Sequence, residues 1–303
     1  MIGLLNKIFN NIVSEKSDNH EIEKILLGKI LINEYNKKQK IENLSEIEFK
    51  VFSQFGEDGI IQWIISKLQI SNKSFIEFGV GDYRESNTLF LLKNNNWKGL
   101  IFDCDKKNIE SIINDEEYWK YDLTAGCELI TKENINELFL QNGFNGDIGL
   151  LSIDIDGNDY WIWDAIKVIS PQIVICEYNS VFGDQHAITI PYSHLFNRTK
   201  AHYSNLYMGA SLPALCMLAD TKGYDFIGSN SAGNNAFFVR NDCSGPFQKS
   251  SAKQGYVKSN FRESRDLSGK LTLISGNERL KLIEEMDVYD IKRESILKIK
   301  NLF

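Results

Sequence analysis

The stretch from Phe75 to Thr88 constrains the fold of this chain more than any other part of the sequence. It reads Phe-Ile-Glu-Phe-Gly-Val-Gly-Asp-Tyr-Arg-Glu-Ser-Asn-Thr, an apolar run that contains Glu77 and leads into a turn built on Gly79 and Gly81. An apolar segment follows, so the pattern predicts a strand, a glycine turn and a helix. Such a turn lets backbone N–H groups approach a ligand closely, because glycine has no Cβ. The acid at the strand tip favours a ligand with an amino-acid end and a ribose over a dinucleotide.

After this turn, short apolar runs alternate with helical stretches, which predicts an α/β fold with a mostly parallel sheet and helices on both faces. The final apolar run follows a Gly/Asn loop and is expected to add an antiparallel strand. The predicted strands are Ser74–Phe78, Gly99–Phe102, Ile148–Ile155, Ile173–Tyr178, Asp225–Ser229 and Ala236–Arg240. The predicted helices are Thr88–Asn95, Asn108–Asn114, Ile135–Gln141, Tyr160–Val168 and Ala210–Lys222.

Two polar extensions flank this predicted domain, which we place at residues 49–243. Residues 1–48 are expected to form a helical arm that packs on the domain, and a dimerisation arm, and hence a homodimer, is the alternative. Residues 244–303 are expected to form a C-terminal extension that is helical near its end. The apolar residues at helical spacing are Ile22, Ile25, Leu26, Ile30 and Leu31 in the first extension and Leu280, Leu282, Ile283 and Met286 in the second.

Charge and apolar patterning narrow the class of partner. The net charge of -7 argues against nucleic acid and against an anionic membrane surface, since both bind basic faces. No apolar run reaches the ~20 residues of a membrane span, and the opening apolar stretch is too short for a signal peptide. The five cysteines are scattered without a CxxC pair, which favours reduced thiols. We therefore expect a cytoplasmic protein without membrane insertion.

Acidic and amide residues follow the predicted strands at several points. In an open α/β sheet, ligands bind beyond the carboxyl ends of the strands, so these residues are expected to share one edge, although each alone is more often a turn former. Asp103 lies 26 residues after Glu77, close to the ~20-residue interval typical of a ribose-binding acid. Gly79 and Gly81 lack the third glycine of GxGxxG, which disfavours NAD. The strand-end residues are Glu77, Asp103 with Asp105, Asp122, Asp154 with Asp156 and Asp159, and Glu177 with Asn179.

The Glu-x-Gly-x-Gly pattern, with an acid after the next strand, resembles the S-adenosylmethionine motif of class I methyltransferases. A longer ordered set of segments, over about residues 50–243, resembles the FkbM-type sugar methyltransferases of capsule and lipooligosaccharide clusters. This resemblance implies a Rossmann-like fold and methyl transfer to a hydroxyl of a nucleotide-activated sugar in surface polysaccharide biosynthesis. The segments are Ser53–Gly59, Phe75–Asp82 with Asn87-Thr88, Leu151–Tyr160, Cys176–Asn179, Gly209–Leu212, Lys222–Tyr224 and Asn235–Arg240.

The same resemblance implies which residues surround S-adenosylmethionine. Glu77, Gly79 and Gly81 would line its methionine portion, and Asn87 would contact its amino-acid end. Asp103 would bind the ribose. The residues implied at the adenine edge are Asp122 and Leu123, and those that approach the same pocket are Gln54, Asp58 and Asp154.

A second cluster suggests a metal site. Asp154 and Asp156 share one face of a strand, and Glu177 and Asn179 repeat that spacing on the next strand. Oxygen ligands suit Mg²⁺ or Mn²⁺. The resemblance to macrocin-type sugar O-methyltransferases, which hold a divalent metal at this place, implies Asp156, Glu177 and Asn179 as ligands. Those enzymes carry acids where Asn179 stands, so a metal-free polar pocket is the alternative.

A hydroxyl acceptor must also lose its proton. Asp159 is the nearest candidate base, with Asp156 beside it. His202 is slightly favoured over His186 within residues 180–208, the expected acceptor lid, where Arg198 or Lys200 would hold a diphosphate.

Three other functions stay open at this point. The first is a methyltransferase for a small phosphorus-containing or lipid acceptor. The second is an NAD-dependent sugar-modifying oxidoreductase, which would want the third glycine and a Tyr-x-x-x-Lys pair near the cofactor. The third is a non-catalytic sugar- or nucleotide-binding module, which has little need for clustered acids.

Overall fold

A seven-stranded sheet forms the centre of the molecule in a computed structural model that describes residues 20–38 and 40–303. A separate three-stranded sheet lies beside it. The strands are β1 Ser74–Phe78, β2 Lys98–Asp103, β3 Leu123–Cys127, β4 Gly146–Ile153, β5 Ile169–Glu177, β6 Ile188–Thr189, β7 Tyr224–Ser229, β8 Asn235–Arg240, β9 Asp287–Asp290 and β10 Ser295–Lys298.

The large sheet has the order β3-β2-β1-β4-β5-β8-β7. Strands β1 to β5 are parallel, and β8 pairs antiparallel with both β5 and β7. This order, with one antiparallel strand near the end, is that of the class I Rossmann-like methyltransferase fold, so the predicted fold class is confirmed. Successive strands are added on one side of β1 as far as β3 and then on its other side from β4 onwards, so the topological switch point lies between β1 and β4. Ligands bind at this point in such sheets.

Helices cover both faces of this sheet. Strand β1 is buried throughout, and its alternating side chains contribute Ile76 and Phe78 to one apolar cluster and Phe75 to the other. The helices are α1 20–35, α2 Glu57–Lys67, α3 Leu89–Asn95, α4 Lys106–Ile113, α5 Ile135–Gln141, α6 Asp159–Ala165, α7 Arg198–Ala201, α8 Leu212–Lys222, α9 Ala252–Gly255 and α10 Asn277–Leu282.

Helix α8 shows how local sequence sets such bounds. The Ser211 hydroxyl accepts a hydrogen bond from the N–H of Ala214 at the start of the helix, and Gly223 ends it with φ 80°. A serine at the N-cap and a left-handed glycine after the last turn are the residue types that these positions prefer.

The C-terminal region differs from its prediction as a helical segment. It contains the short helix α10, but β9 and β10 follow and pair antiparallel with each other. Strand β9 also pairs with β6, so the last residues of the chain are joined to the segment after β5. A third apolar cluster, which includes Phe182 and Val288, underlies this small sheet.

The N-terminal arm is described from residue 20 onwards, and its predicted residues 1–19 lie outside the described part of the chain. Ile22, Leu26 and Ile30 are exposed on α1, whereas Ile25 and Leu31 pack against the main domain. Within the described residues, no helix has the length and apolar composition to cross a membrane. The domain bounds drawn from the sequence stay a prediction.

Candidate active site

A cavity of about 980 Å³ opens at the carboxyl ends of β1, β2, β4 and β5. It collects Glu77, Asp103, Asp154 and Glu177, which therefore share one edge of the sheet as predicted, whereas Asp105, Asp122 and Asp159 lie outside its wall. Other sequence-predicted residues in its wall are Gln54, Gly79, Gly81, Asn87, Asp156, Asn179 and Arg198.

The glycine turn lies against the end of β4. Gly79 has φ +70°, and a Cβ built there would lie 1.7 Å from the backbone oxygen of Asp154. Gly81 has φ +55° but nothing within 4 Å of its Cβ position, so the space before it is open to a ligand. Gly79 thus permits two backbone segments to meet, whereas Gly81 leaves room in the cavity.

Glu77 fastens this turn to the start of α3. One carboxylate oxygen accepts the N–H of Asn87 at 2.9 Å, and the other accepts the N–H of Thr88 at 3.1 Å and its hydroxyl. Burial raises the pKa of Glu77 to about 7, against the effect of these donors. The bonds fix Asn87, which lines the cavity and whose side-chain amide also donates to the buried hydroxyl of Ser152 at 3.1 Å.

Asp103 makes the corresponding connection from β2. Its carboxylate accepts the N–H of Gly81 at 2.9 Å, the N–H of Asp105 at 2.7 Å and the side-chain amide of Asn108 at 3.1 Å. A carboxylate offers about four acceptor sites, so one remains for a hydroxyl group of a ligand.

Asp58 lies outside the cavity wall, although Gln54 lies within it. One oxygen of the Asp58 carboxylate accepts the N–H groups of Val51, Phe52 and Ser53 at 2.7, 2.7 and 2.9 Å. Asp58 therefore shapes the loop that presents Gln54.

The predicted adenine residues are not brought into the cavity. Asp122 is exposed just before β3, and Leu123 is the first residue of that strand. Because β3 runs parallel to β2, the residues that follow its carboxyl end reach the cavity instead, and these are Glu128, Leu129 and Ile130.

The loop between β4 and α6 is organised by Asp159. Its two carboxylate oxygens accept the N–H groups of Ile155 and Gly157, both at 2.9 Å, and the side chain is buried. Burial raises its pKa to about 6. This carboxylate faces its own loop and lies outside the cavity wall, which favours a positioning role; its assignment as the base stays a prediction.

Three carboxylates nevertheless lie close together. Asp154, Asp159 and Glu177 each place an oxygen within 4.8 Å of the others, and Oε2 of Glu177 is buried without a hydrogen-bond partner among the described residues. Burial, followed by the neighbouring carboxylates, raises the pKa values of Asp154 and Glu177 well above the usual range. Like charges at this separation favour retention of a proton by the pair.

The predicted metal ligands do not form a set here. Asn179 donates its amide to the carbonyls of Leu206 and Met208, and its oxygen accepts the N–H of Val181. Asp156, with φ 56°, is paired with Arg198 at 2.7 Å. Of the three, only Glu177 has a buried oxygen without a partner among the described residues, whereas Asp156 is neutralised by Arg198 and Asn179 is held by backbone groups. Asp156, Glu177 and Asn179 therefore do not fit a metal as arranged, and we derive no step through one.

The segment 194–206 contributes several residues to the cavity wall. Phe196, Asn197 and Arg198 reach the cavity, whereas His202 and Lys200 do not. His202 instead hydrogen-bonds the Ser204 hydroxyl at 2.7 Å, and its ring lies 4.3 Å from the Tyr203 ring at a tilt of 33°. Burial lowers the pKa of His202. His186 also lies outside the wall.

The C-terminal extension adds wall residues that the sequence did not indicate, namely Ser259, Phe261, Glu263 and Arg279. Residues 256–260 reach this place because Tyr178 donates to the carbonyl of Val257 at 2.6 Å and Tyr256 donates to that of Ser180 at 2.7 Å. No motif or residue spacing in the sequence predicts these contacts, because they depend on tertiary packing.

Buried acids are expected to make the protein more stable at mildly acidic pH than at neutral pH. Burial raises the pKa values of Asp58 and Asp159 to about 6 and that of Glu77 to about 7, so the folded state holds protons that the unfolded chain has released. These three groups alone should lower the free energy of unfolding by about 2 kcal/mol per pH unit as the pH rises from 5 to 7. Urea denaturation at pH 5, 6 and 7 measures this slope. Asp220→Asn, on the exposed face of α8, should keep it, and stability that rises over this range would contradict the prediction.

Comparison with known proteins gives no family assignment. No protein-family model and no curated protein matches the chain. Among solved structures, the N-terminal domain of EvdMO1 with SAH bound shares 10% identity over 62% of this chain and 81% of that one, with a TM-score of 0.40. PKMT2 from Rickettsia typhi in complex with AdoHcy shares 11% over 58% and 50%, with a TM-score of 0.37. An S-adenosylmethionine-dependent methyltransferase from Clostridium acetobutylicum shares 12% over 44% and 58%, with a TM-score of 0.30. The fold assignment accordingly rests on the strand order of the sheet, and any assignment of chemistry rests on the residues of the cavity.

Proposed function

We propose that this protein is an enzyme that transfers the methyl group of S-adenosylmethionine to a hydroxyl of a nucleotide-activated sugar, in capsule or surface polysaccharide biosynthesis. One observation carries the proposal. The glycine turn at the tip of β1 and the carboxylates Asp154 and Glu177 open into the same cavity. The turn suits a donor with an amino-acid end, and the carboxylates suit an acceptor that must lose a proton.

The residues present fit the donor. Open space before Gly81 admits it, Asn87 is held in the wall by Glu77, and Asp103 retains acceptor capacity for a ribose hydroxyl. Glu128, Leu129 and Ile130 replace Asp122 and Leu123 as the proposed adenine contacts. When bound, S-adenosylmethionine supplies an electrophilic methyl group on a sulfonium centre.

Asp154 and Glu177 are the residues that we assign to the acceptor hydroxyl. Both line the cavity, and burial beside other carboxylates raises their pKa values, which makes each a stronger proton acceptor than an exposed carboxylate. The pair would accept the hydroxyl proton and hold the oxygen in line, since methyl transfer is chiefly a positioning problem. Asp159 would hold the loop that carries Asp154.

Incubation with S-adenosylmethionine and a panel of nucleotide sugars tests the activity directly. We expect one sugar to gain the mass of one methyl group. Parallel arms contain small phosphorus-containing compounds and lipids, and methylation confined to these would move the assignment to that acceptor class. An absorbance scan with NADH separates the oxidoreductase alternative. Absence of binding to both S-adenosylmethionine and S-adenosylhomocysteine would refute the proposal.

Replacing Glu77 with glutamine should weaken binding of S-adenosylhomocysteine by about 10- to 100-fold, the usual effect of losing charge-assisted hydrogen bonds. The glutamine amide would place a donor against the N–H of Asn87 or of Thr88, and that hydrogen bond would be lost. Asn87, the proposed contact to the amino-acid end of the cofactor, would then no longer be held in place. Isothermal titration calorimetry measures the affinity. Glu110→Gln on the exposed face of α4 is the matched control, and equal affinities in the two variants would remove Glu77 from the donor site.

A further inference from the structure

Arg279 is a buried cation in the cavity wall. Its exposed fraction is 6%. Nη1 donates to the Ser259 hydroxyl at 2.6 Å, and Nη2 makes a long bond of 3.4 Å to the carbonyl of Glu263. Nε is buried with no acceptor among residues 20–38 and 40–303. A buried guanidinium normally has a carboxylate or phosphate partner, because desolvation of an unpaired charge is costly.

The carboxylate nearest in sequence to this region is already used. Glu263 accepts from Arg198 at 3.0 Å and from the Asn205 amide at 3.2 Å, and it lies 3.6 Å from Arg265. Arg198 also binds Asp156, so its charge is compensated twice. In the described part of the chain, Arg279 has no carboxylate within ion-pair distance. Burial, and then the charge of Arg198, lower the pKa of Arg279.

Arg279 lies in the wall between two cavities, and this position indicates which end of a ligand it would contact. A second cavity of about 570 Å³ lies next to the first, and Arg279 and Ser180 belong to both walls. The first cavity is rich in carboxylates, which repel an anion. The second adds the basic side chains Lys258, Lys281 and Lys300 and the acids Asp184 and Glu284, so that its wall, with Arg279, holds four cations against two carboxylates. Lys300 is paired with Glu285 at 2.8 Å, whereas Lys258 and Lys281 have no ion pair among the described residues. A ligand with a neutral hydroxyl end and an anionic end would therefore be drawn with its anion towards Arg279.

We propose that Arg279 forms an oxyanion subsite for the acceptor, at the wall shared by the two cavities, and that the acceptor carries a phosphate or diphosphate group there. This inference rests on the proposed function and names the part of the chain that selects the substrate. Phe261 supports the guanidinium, whose centre lies 6.0 Å from the ring centroid, and itself stacks on Phe55 at 5.8 Å. The subsite replaces Arg198 and Lys200, which the sequence suggested for a diphosphate.

Calorimetric titration of the full chain with inorganic pyrophosphate, and separately with inorganic phosphate, tests the subsite. Arg279→Gln should weaken pyrophosphate binding at least 10-fold, and Arg279→Lys should retain part of it, because a lysine keeps the charge but not the planar fork. Arg293→Gln is the control, since Arg293 is an exposed arginine that pairs with Asp290. The phosphate arm shows whether one phosphoryl group suffices.

Binding of S-adenosylhomocysteine should be the same in the wild-type protein and all three variants, which verifies that they fold. Pyrophosphate affinity that is absent in the wild type, or unchanged in Arg279→Gln with donor binding intact, would overturn the subsite. Methylation of uncharged sugars as fast as of nucleotide sugars would also overturn it while leaving the proposed methyl transfer standing. A wild-type protein that does not bind S-adenosylhomocysteine would instead refute the proposed function. The pyrophosphate titration would still decide whether Arg279 binds an anion.

Discussion

Replacing Gly79 with alanine is expected to lower the free energy of unfolding by about 3 kcal/mol or more and to abolish measurable binding of S-adenosylhomocysteine. The new Cβ would lie 1.7 Å from the carbonyl oxygen of Asp154. That oxygen belongs to backbone that cannot rotate away as the end of a flexible side chain could. The turn and the end of β4 must separate, and both the donor contacts and the acceptor carboxylates would shift with them.

The matched control is Gly143→Ala. Gly143 has φ +75°, close to the value at Gly79, but a Cβ there meets nothing within 4 Å. It should cost only the left-handed backbone penalty of about 1 kcal/mol, with donor binding unchanged. Urea denaturation and calorimetry measure the two quantities. If both variants lose the same stability, the close approach at Asp154 is not what constrains the turn.

Replacing Glu177 with glutamine should reduce turnover by about 100- to 10,000-fold, the range for loss of general acid–base catalysis, with donor affinity within about 3-fold of the wild type. The reason lies in its Oε2, which is buried and without a partner in the described residues. Glutamine preserves the size of the side chain but cannot accept a proton at neutral pH. The measurement is the rate of methyl transfer at saturating donor, with the nucleotide sugar identified by the mass assay.

Three comparisons make the Glu177 result interpretable. Asp220→Asn should behave as wild type. Asp159→Asn should lose stability as well as turnover, because its two carboxylate oxygens hold the N–H groups of Ile155 and Gly157. An equal loss of turnover and donor affinity in Glu177→Gln would assign Glu177 a structural role. Turnover that falls in EDTA and returns with Mg²⁺ or Mn²⁺ would assign it to a metal instead.

The parts of the fold that sequence predicts well are those buried on both sides. Strand β1 has the predicted bounds, Ser74–Phe78, because a fully buried strand is rich in apolar residues on both faces, here Phe75, Ile76 and Phe78. Strand β3 escaped prediction, since it lies at the sheet edge, is half-exposed and contains Thr124 and Gly126. The resemblance implied Asp122 and Leu123 at the adenine edge, whereas the residues after β3 that line the cavity are Glu128, Leu129 and Ile130.

The candidate site also contains residues that the sequence predicts and residues that it does not. Glu77, Gly79 and Asp103 could be found because short-range pattern fixes their place at strand ends, and one sheet edge brings those ends together. The sequence could not show which side-chain oxygens at the site remain free to contact a ligand. The carboxylate of Asp159 and the amide of Asn179 are taken by backbone groups of loops whose paths depend on tertiary packing. Arg279 joins the cavity for the same kind of reason.

The pairing of β6 with β9 means that the proposed donor side and the proposed acceptor side of the cavity are built from different parts of the chain. The proposed donor contacts on the β1–β3 side come from residues 77–130, whereas the wall with Ser259, Phe261 and Arg279 comes from the last fifty residues of the chain, which this pairing clamps to the segment after β5. Under the proposed function, we expect change in that terminal segment to alter the choice of acceptor more than binding of the donor. Replacing this segment together with its β6 partner would test whether acceptor specificity moves with the two as a unit.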